Sequence, residues 1–311
     1  MSNTSSSQQH MPPGACDCHV HVFDPVRFPF SASRSYTPPA ATVEDLNDFH
    51  RQLGIQRVVV VQPSCYGTDN SAMVDAIARL GRDRARGIAV VDLDAVTPSQ
   101  LEQLHEKGVR GLRLNFATRS DRPTGELLEE ILRADASVSH LGWSVHLHVH
   151  AQLLRTLGRE LAQLTASLVF DHFAGFKGAA WSHDAPAKRA LHALLDGGRT
   201  YVKLSAPYRM SLQQGYADLK DMTQELCRAA PSRMLWGSDW PHTGRSGVRT
   251  ASLSEIEPFR DVDAGGDLNL LTQWVGDSEV CKLIFVDNPS RLFGFAESDS
   301  RFPSTFSRSH D

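Results

Sequence analysis

The sequence has little of what would tie a protein to a membrane, a polynucleotide or an oxidising compartment. Cysteine is scarce: Cys16, Cys18, Cys65, Cys227 and Cys281 are the only five among 311 residues. An odd number with no CxxC pair excludes a dense disulfide framework and fits a reducing, cytoplasmic setting. Long apolar runs are missing, none reaching the ~18 residues of a membrane span. The Ser- and Gln-rich first ten residues have neither the basic nor the apolar region of a secretory leader. Positive charge is not in excess: 32 Lys and Arg stand against 36 Asp and Glu, leaving a net charge of −4. The basic residues are scattered, so no footprint for nucleic acid forms. Gly-rich phosphate loops and a GxSxG elbow are also absent, which sets phosphate transfer and serine-esterase chemistry aside. With 41% apolar and 22% charged residues, the chain is neither disordered, collagen-like nor a coiled-coil rod. The expected partner is a small molecule.

What is present is a rhythm. Eight short apolar runs, at 15–22, 57–64, 85–92, 109–116, 143–150, 168–173, 200–206 and 234–240, read as buried strands. Between them, 43–53, 71–80, 98–107, 125–133, 151–164, 185–195 and 216–229 place apolar residues at three- and four-residue steps and read as helices. Strand alternating with helix is what a parallel sheet needs, because parallel strands are joined by crossovers. Eight such units in one domain of this length predict a closed (β/α)₈ barrel, an α/β fold. An open doubly wound sheet is the competitor, but no GxGxxG follows the first strand. Segments 23–39 and 243–267 break the rhythm after the first and last strands, and the first is expected to fold over the barrel mouth. The expected layout is a frayed start at 1–11, a barrel at 12–295 and a flexible tail at 296–311.

Histidines cluster where such a barrel would place its chemistry. Asp17-Cys18-His19-Val20-His21 sets two imidazoles two residues apart near the end of the first strand, where period-2 geometry aims both at one face. His146, His148 and His150 alternate with Val145, Leu147 and Val149 on the fifth strand. Of these, His148 is expected at site depth, His146 as a deep core group and His150 as a solvated loop residue. Asp171-His172 ends the sixth strand, and Asp239 sits between two tryptophans at the end of the eighth. Taken singly, each has an ordinary reading as a core hydrogen bond or a turn. Together, His19, His21, His148, His172 and Asp239 could meet around one point, as a mononuclear metal site or as a metal-free constellation that activates water.

Arginines supply the other half. Arg113 shares a face of the fourth strand with Asn115, Arg119 follows in the loop, and Arg209 trails the seventh strand. An inward arginine is costly without an anion, so several around one mouth suggest forked binding of carboxylates. Tyr36 and Ser64 could add hydroxyl donors. Cys65 has no evident base and reads as a buried thiol.

Over about residues 12–294 the chain resembles the amidohydrolase superfamily, and within it the branch of the 2-pyrone-4,6-dicarboxylate lactonases. The stretches that carry the likeness are Asp17-Cys18-His19-Val20-His21-Val22-Phe23, Phe28-Pro29-Phe30, Ser64-Cys65-Tyr66-Gly67-Thr68-Asp69-Asn70, Arg110-Gly111-Leu112-Arg113-Leu114-Asn115-Phe116, Asp171-His172 and Trp236-Gly237-Ser238-Asp239-Trp240-Pro241-His242. The resemblance implies a distorted barrel that hydrolyses a lactone. In it Asp239 would be the general base for water, and His19, His21 and His172 would polarise the ester carbonyl. Arg113, Arg119 and Arg209 would hold two carboxylates, with Tyr36 and Ser64 in support.

One position departs from that branch. Its members carry tyrosine where this chain has His148, which resembles the fifth-strand ligand of metal-dependent superfamily members. The resemblance therefore leaves two arrangements open: one divalent ion, zinc or manganese, on His19, His21, His148 and Asp239, or a metal-independent site. The expected function is hydrolysis of a carboxylated lactone, such as 2-pyrone-4,6-dicarboxylate or a muconolactone from aromatic catabolism. A metal-dependent decarboxylase and a non-catalytic carboxylate-binding barrel are the alternatives.

Overall fold

The computed structural model describes residues 11–117, 122–244 and 252–296. Eight strands form one sheet in sequence order, each parallel to the next. They are β1 (Cys16–Val20), β2 (Arg57–Val61), β3 (Ala85–Ala89), β4 (Val109–Asn115), β5 (Ser144–His148), β6 (Ser167–Phe170), β7 (Thr200–Ser205) and β8 (Met234–Gly237). Past the last of them the chain returns to the first: His21 N–H donates to Trp240 O at 2.8 Å, and Asp239 N–H donates to His19 O at 2.9 Å. The sheet thus closes into the expected (β/α)₈ barrel.

Helices α1 (Val43–Leu53), α2 (Ser71–Leu80), α3 (Pro98–Glu106), α4 (Thr124–Val138), α5 (Gln152–Leu161) and α6 (Ala185–Asp196) fill the connections. Their limits follow local chemistry. Thr42 with Asp45, and Thr97 with Gln100, close reciprocal caps on α1 and α3, and Gly54 ends α1 in the left-handed conformation at φ 73°. Two stretches differ from the sequence reading. A short helix α7 (Pro207–Met210) follows β7, and the helix expected from 216 begins later, as α8 (Lys220–Ala229), because Gly215 and Tyr216 take φ 62° and 51°. The loop expected to run to 267 ends sooner, at α9 (Ala264–Val275), where Asp263 caps a first turn containing two glycines that read as loop. Helices α10 (Ser278–Lys282) and α11 (Asn288–Phe293) then lead to the N-terminal end of the barrel. There Arg86 donates to Phe293 O and Gly294 O at 3.0 and 2.6 Å, and its guanidinium lies 4.5 Å from the Phe295 ring centre.

The two irregular segments meet over the opposite end. Thr37 Oγ1 donates to Leu253 O at 2.5 Å, and Glu257 N–H donates to Thr37 O at 2.8 Å. Among the described residues no helix is long and apolar enough to cross a membrane.

A displaced register shapes β1. Its pairing with β2 slips between Asp17 and Val20, a bulge that inserts one residue and changes which face the following side chains occupy. Cys16 and Cys18 pack with Val59, Val61, Ile88 and Leu235. Asp17, fully buried, instead meets His50 of α1, with Oδ2 3.3 Å from Nε2. Asp17 Oδ1 accepts from the N–H groups of His19 and Ser238 at 3.1 and 2.9 Å, bridging β1 to β8. Truncating this side chain strands two backbone donors and an imidazole. Asp17→Ala should lower unfolding free energy by about 3 kcal/mol, read as a fall in the urea midpoint. A midpoint within error of the parent would mean that the backbone bonds alone close the ring.

Candidate active site

Apart from Arg113, which lies within β4, the described site residues named from the sequence lie near or beyond a strand's C-terminal end, or on the segments above it. His19 and His21 leave β1 past the bulge. His21 Nδ1–H donates to Val61 O at 2.8 Å, so Nε2 keeps its lone pair. Asp239, following β8, turns Oδ1 toward three imidazoles: His19 Nε2 at 3.5 Å, His21 Nε2 at 3.6 Å and His172 Nε2 at 3.8 Å. Its Oδ2 accepts from Tyr208 Oη at 2.6 Å and Arg209 Nε at 2.8 Å. His172 Nδ1 meets Ser205 Oγ at 2.8 Å. His172 and Asp239 hold φ of 48° and 63°, sparsely populated for non-glycine residues and frequent where a site dictates the backbone.

A second carboxylate, which sequence reasoning did not single out, organises this cluster from below. Asp171, fully buried, accepts from Arg113 Nε at 2.9 Å through Oδ2. Its Oδ1 lies 3.0 Å from Lys203 Nζ and 3.3 Å from His19 Nδ1. Lys203, also fully buried, stands 3.1 Å from His19 Nδ1. When the ammonium donates to that nitrogen, His19 Nε2 carries a proton; when Nδ1–H turns to Asp171, Nε2 is free to bind a cation. The signal for Lys203 was legible: in Thr200-Tyr201-Val202-Lys203-Leu204-Ser205 it shares alternation with Tyr201 and Ser205 inside an apolar run. Tyr208 was missed because it lies in a single helical turn too short to show a period, and Arg260 because it lies on a loop without pattern. The guanidiniums of Arg209 and Arg260 lie 5.2 and 5.3 Å from the centre of the Tyr208 ring.

His148 stands apart. Its ring faces His172 with centroids 4.9 Å apart, and its Nδ1 accepts from Arg113 Nη2 at 3.3 Å. Because a guanidinium only donates, neutral His148 carries its proton on Nε2 and is a donor there, which argues against the ligand role the resemblance implies. The ligand atoms that come together, all within 4.8 Å of one another, belong to His19, His21 and Asp239. His146 is fully buried against Ser144 Oγ at 2.9 Å, and His150 is exposed. Tyr36 is buried, whereas Ser64 is exposed in a single turn after β2. Arg119 lies outside the described residues.

Electrostatics sort these groups into fixed states. Burial works to protonate Asp239, but the charge of the adjoining Arg209 guanidinium prevails and holds it well below the usual carboxylate range. Burial likewise opposes ionisation of Asp171, and Lys203, His19 and Arg113 overcome it. Burial, reinforced by Lys203, keeps His19 neutral; burial, reinforced by His172 and Arg113, does the same for His148. Burial pulls His172 down to about 4 against the opposing pull of Asp239 and Asp171.

These groups converge at the mouth of a parallel barrel. A sequence profile described as amidohydrolase matches residues 16–295, and the chain belongs to the amidohydrolase family. A 4-sulfomuconolactone hydrolase of Hydrogenophaga intermedia is 36% identical, covering 91% of this chain and 90% of its own. A 2-pyrone-4,6-dicarboxylate hydrolase of Comamonas testosteroni is 32% identical over 94% and 93%. The crystal structure of a probable 2-pyrone-4,6-dicarboxylic acid hydrolase from Acinetobacter baumannii, with citric acid bound, superposes at a TM-score of 0.73, with 28% identity over 91% of this chain and 100% of that one.

The depressed histidine basicity has a consequence for stability. His172 binds its proton near pH 4 in the folded state and near pH 6.5 when unfolded. Over that window the unfolded chain holds more protons, so its contribution is complete above pH 6.5 and is lost as pH falls toward 4. For this residue alone the loss is about 3 kcal/mol. Urea unfolding at pH 7.5 and 5.0 should show the parent weakening more than His172→Asn; equal slopes would place the acid sensitivity elsewhere.

Proposed function

We propose that the protein hydrolyses the ester bond of a carboxylated lactone by attack of water. The observation that carries this reading is the division of labour on Asp239. Tyr208 and Arg209 tie down one oxygen, while the other faces the space ringed by His19, His21 and His172. A water there would lose a proton to Asp239 Oδ1 as its oxygen bonds to the lactone carbonyl carbon. Asp239 is a weak base in bulk terms, so its contribution is orientation as much as basicity. The developing oxyanion meets fixed donors: the Nε2–H of His148, the Arg113 guanidinium, and His19 when Lys203 donates to its other nitrogen. When the tetrahedral intermediate collapses, the ring C–O bond breaks. The proton can return from Asp239 to the departing oxygen by way of His172, whose weakly basic imidazole releases it readily. The carboxylate of the substrate would be held on the β7–β8 side by Arg209 and Arg260.

The donor set also fits one divalent ion. His21 has its Nε2 lone pair free, His19 Nε2 has no hydrogen-bond partner, and Asp239 is ionised nearby. His19, His21 and Asp239 would hold the ion, and when bound it would acidify water and polarise the carbonyl.

Two measurements test the reading. Asp239→Asn should lower turnover of a carboxylated lactone ~10²-fold or more without changing the far-ultraviolet circular dichroism; near-normal turnover would reject the assignment. Elemental analysis of the purified protein, with assays before and after chelation, decides the role of metal. Near-stoichiometric zinc or manganese, with activity lost on chelation and restored by the ion, is expected if the three residues bind it. Full activity in metal-free protein would assign the work to the imidazoles and guanidiniums alone.

A further inference from the structure

The His19 imidazole has a different neighbour at each nitrogen, and only one of its two neutral forms suits both. We propose that Lys203 holds His19 as the Nε2–H tautomer and so withholds it from a divalent ion, which makes Lys203 the positioning residue that keeps the metal affinity of the site low. The proposal rests on the donor set assigned above and not on which ester the site opens, so none of the results below bears on the lactone reading.

Geometry at Nδ1 is the first ground. Lys203 Nζ stands 3.1 Å from this nitrogen in a hydrogen bond, and an ammonium only donates. His19 Nδ1 therefore accepts, and the neutral ring carries its proton on Nε2. The competing neighbour, Asp171 Oδ1, lies farther off at 3.3 Å, and among the described residues it is a buried oxygen without a hydrogen bond. Were the ring proton on Nδ1, it would face the protons of the ammonium across the same 3.1 Å. His19, Asp171 and Lys203 are all fully buried, so bulk water does not relieve that clash.

The opposite nitrogen is the second ground. His19 Nε2 is buried, has no hydrogen-bond partner among the described residues, and lies 3.5 Å from Asp239 Oδ1. An N–H there points at an ionised carboxylate, an attractive contact; a bare nitrogen would set its lone pair against those of the oxygen. Both ends of the ring thus favour the same tautomer. His21 is arranged the other way, since its Nδ1 donates to Val61 O and its Nε2 keeps a lone pair. Of the three residues whose ligand atoms come together, His21 and Asp239 stand ready to hold an ion and His19 does not. To join them, His19 must give up a hydrogen bond from a charged donor and turn its own proton toward that donor. Loss of one charge-assisted hydrogen bond corresponds to weaker binding by about tenfold or more.

Two readings of the full-length protein, freed of metal by chelation, test the proposal. The first is the long-range proton–nitrogen spectrum of protein labelled with ¹⁵N-histidine, in which His19→Gln identifies the signals of residue 19. At pH 7.5 the parent should show His19 protonated on Nε2 and bare on Nδ1; the reverse overturns the proposal. The second is a zinc titration in competition with a chromogenic chelator. Lys203→Met removes the donor and keeps a side chain of similar length. It should bind zinc about tenfold or more tightly than the parent, and its own spectrum should place the His19 proton on Nδ1, toward Asp171. Damage to the fold alone would weaken binding, so the direction of the change separates positioning from structure. A smaller increase, a decrease, an unchanged tautomer in Lys203→Met, or zinc that withstands chelation in the parent overturns the proposal. If Lys203→Met loses its far-ultraviolet circular dichroism, the tautomer of the parent decides alone.

Discussion

The buried contact among Asp171, Lys203 and Arg113 sets the conditions for everything above it in the barrel. An isolated charge at such depth would be severely destabilising, and removing one member of a buried set leaves the others uncompensated. Here one carboxylate answers two cations, and the arrangement costs the fold less than any of its parts alone. Its value lies in what it orients. Lys203 and Asp171 both touch His19 Nδ1, Arg113 reaches past Asp171 to His148, and so two imidazoles inherit their proton positions from groups that never face solvent. Networks of this kind act as units, because each bond polarises the next in a low-dielectric interior.

That foundation explains the division of charge at the mouth. The imidazoles of His19, His148 and His172 are held neutral while both carboxylates stay ionised. Neutral imidazoles can donate on one nitrogen and accept on the other, which is the versatility a hydrolysis with several proton movements requires. The same state suits a divalent ion, since ligands must present lone pairs. The site is thus prepared for either arrangement by one set of tautomers, and the choice turns on which neighbour His19 Nδ1 addresses.

Much of this was legible in the sequence because it followed from periodicity. The eight apolar runs and the helices between them mark the barrel, and His19, His21, His172 and Asp239 stand at strand ends, where such barrels assemble their chemistry. What was not legible depended on long-range pairing. The pairing of Arg113 with Asp171 was hidden because the two lie 58 residues apart along the chain. His148 looked like a metal ligand, while the structure turns its Nδ1 to Arg113. The start of α9 was hidden by Gly265 and Gly266, residues that favour turns in isolation and are tolerated here under the Asp263 cap. Tyr208 sits in a one-turn helix and Arg260 on irregular backbone, and neither is long enough for a period to mark a functional face.

The bulge in β1 places two tasks on five residues. Before it the strand serves the ring, with Asp17 turned to α1 and to β8; after it both imidazoles turn to Asp239. The two halves are read in different frames, and the extra residue is the spacer that reconciles them. Loss of a single codon between Asp17 and Val20 would thus set architecture against chemistry, since a regular strand could keep the staple or the histidines in place but not both. Length, more than side-chain identity, is what this stretch can least afford to vary.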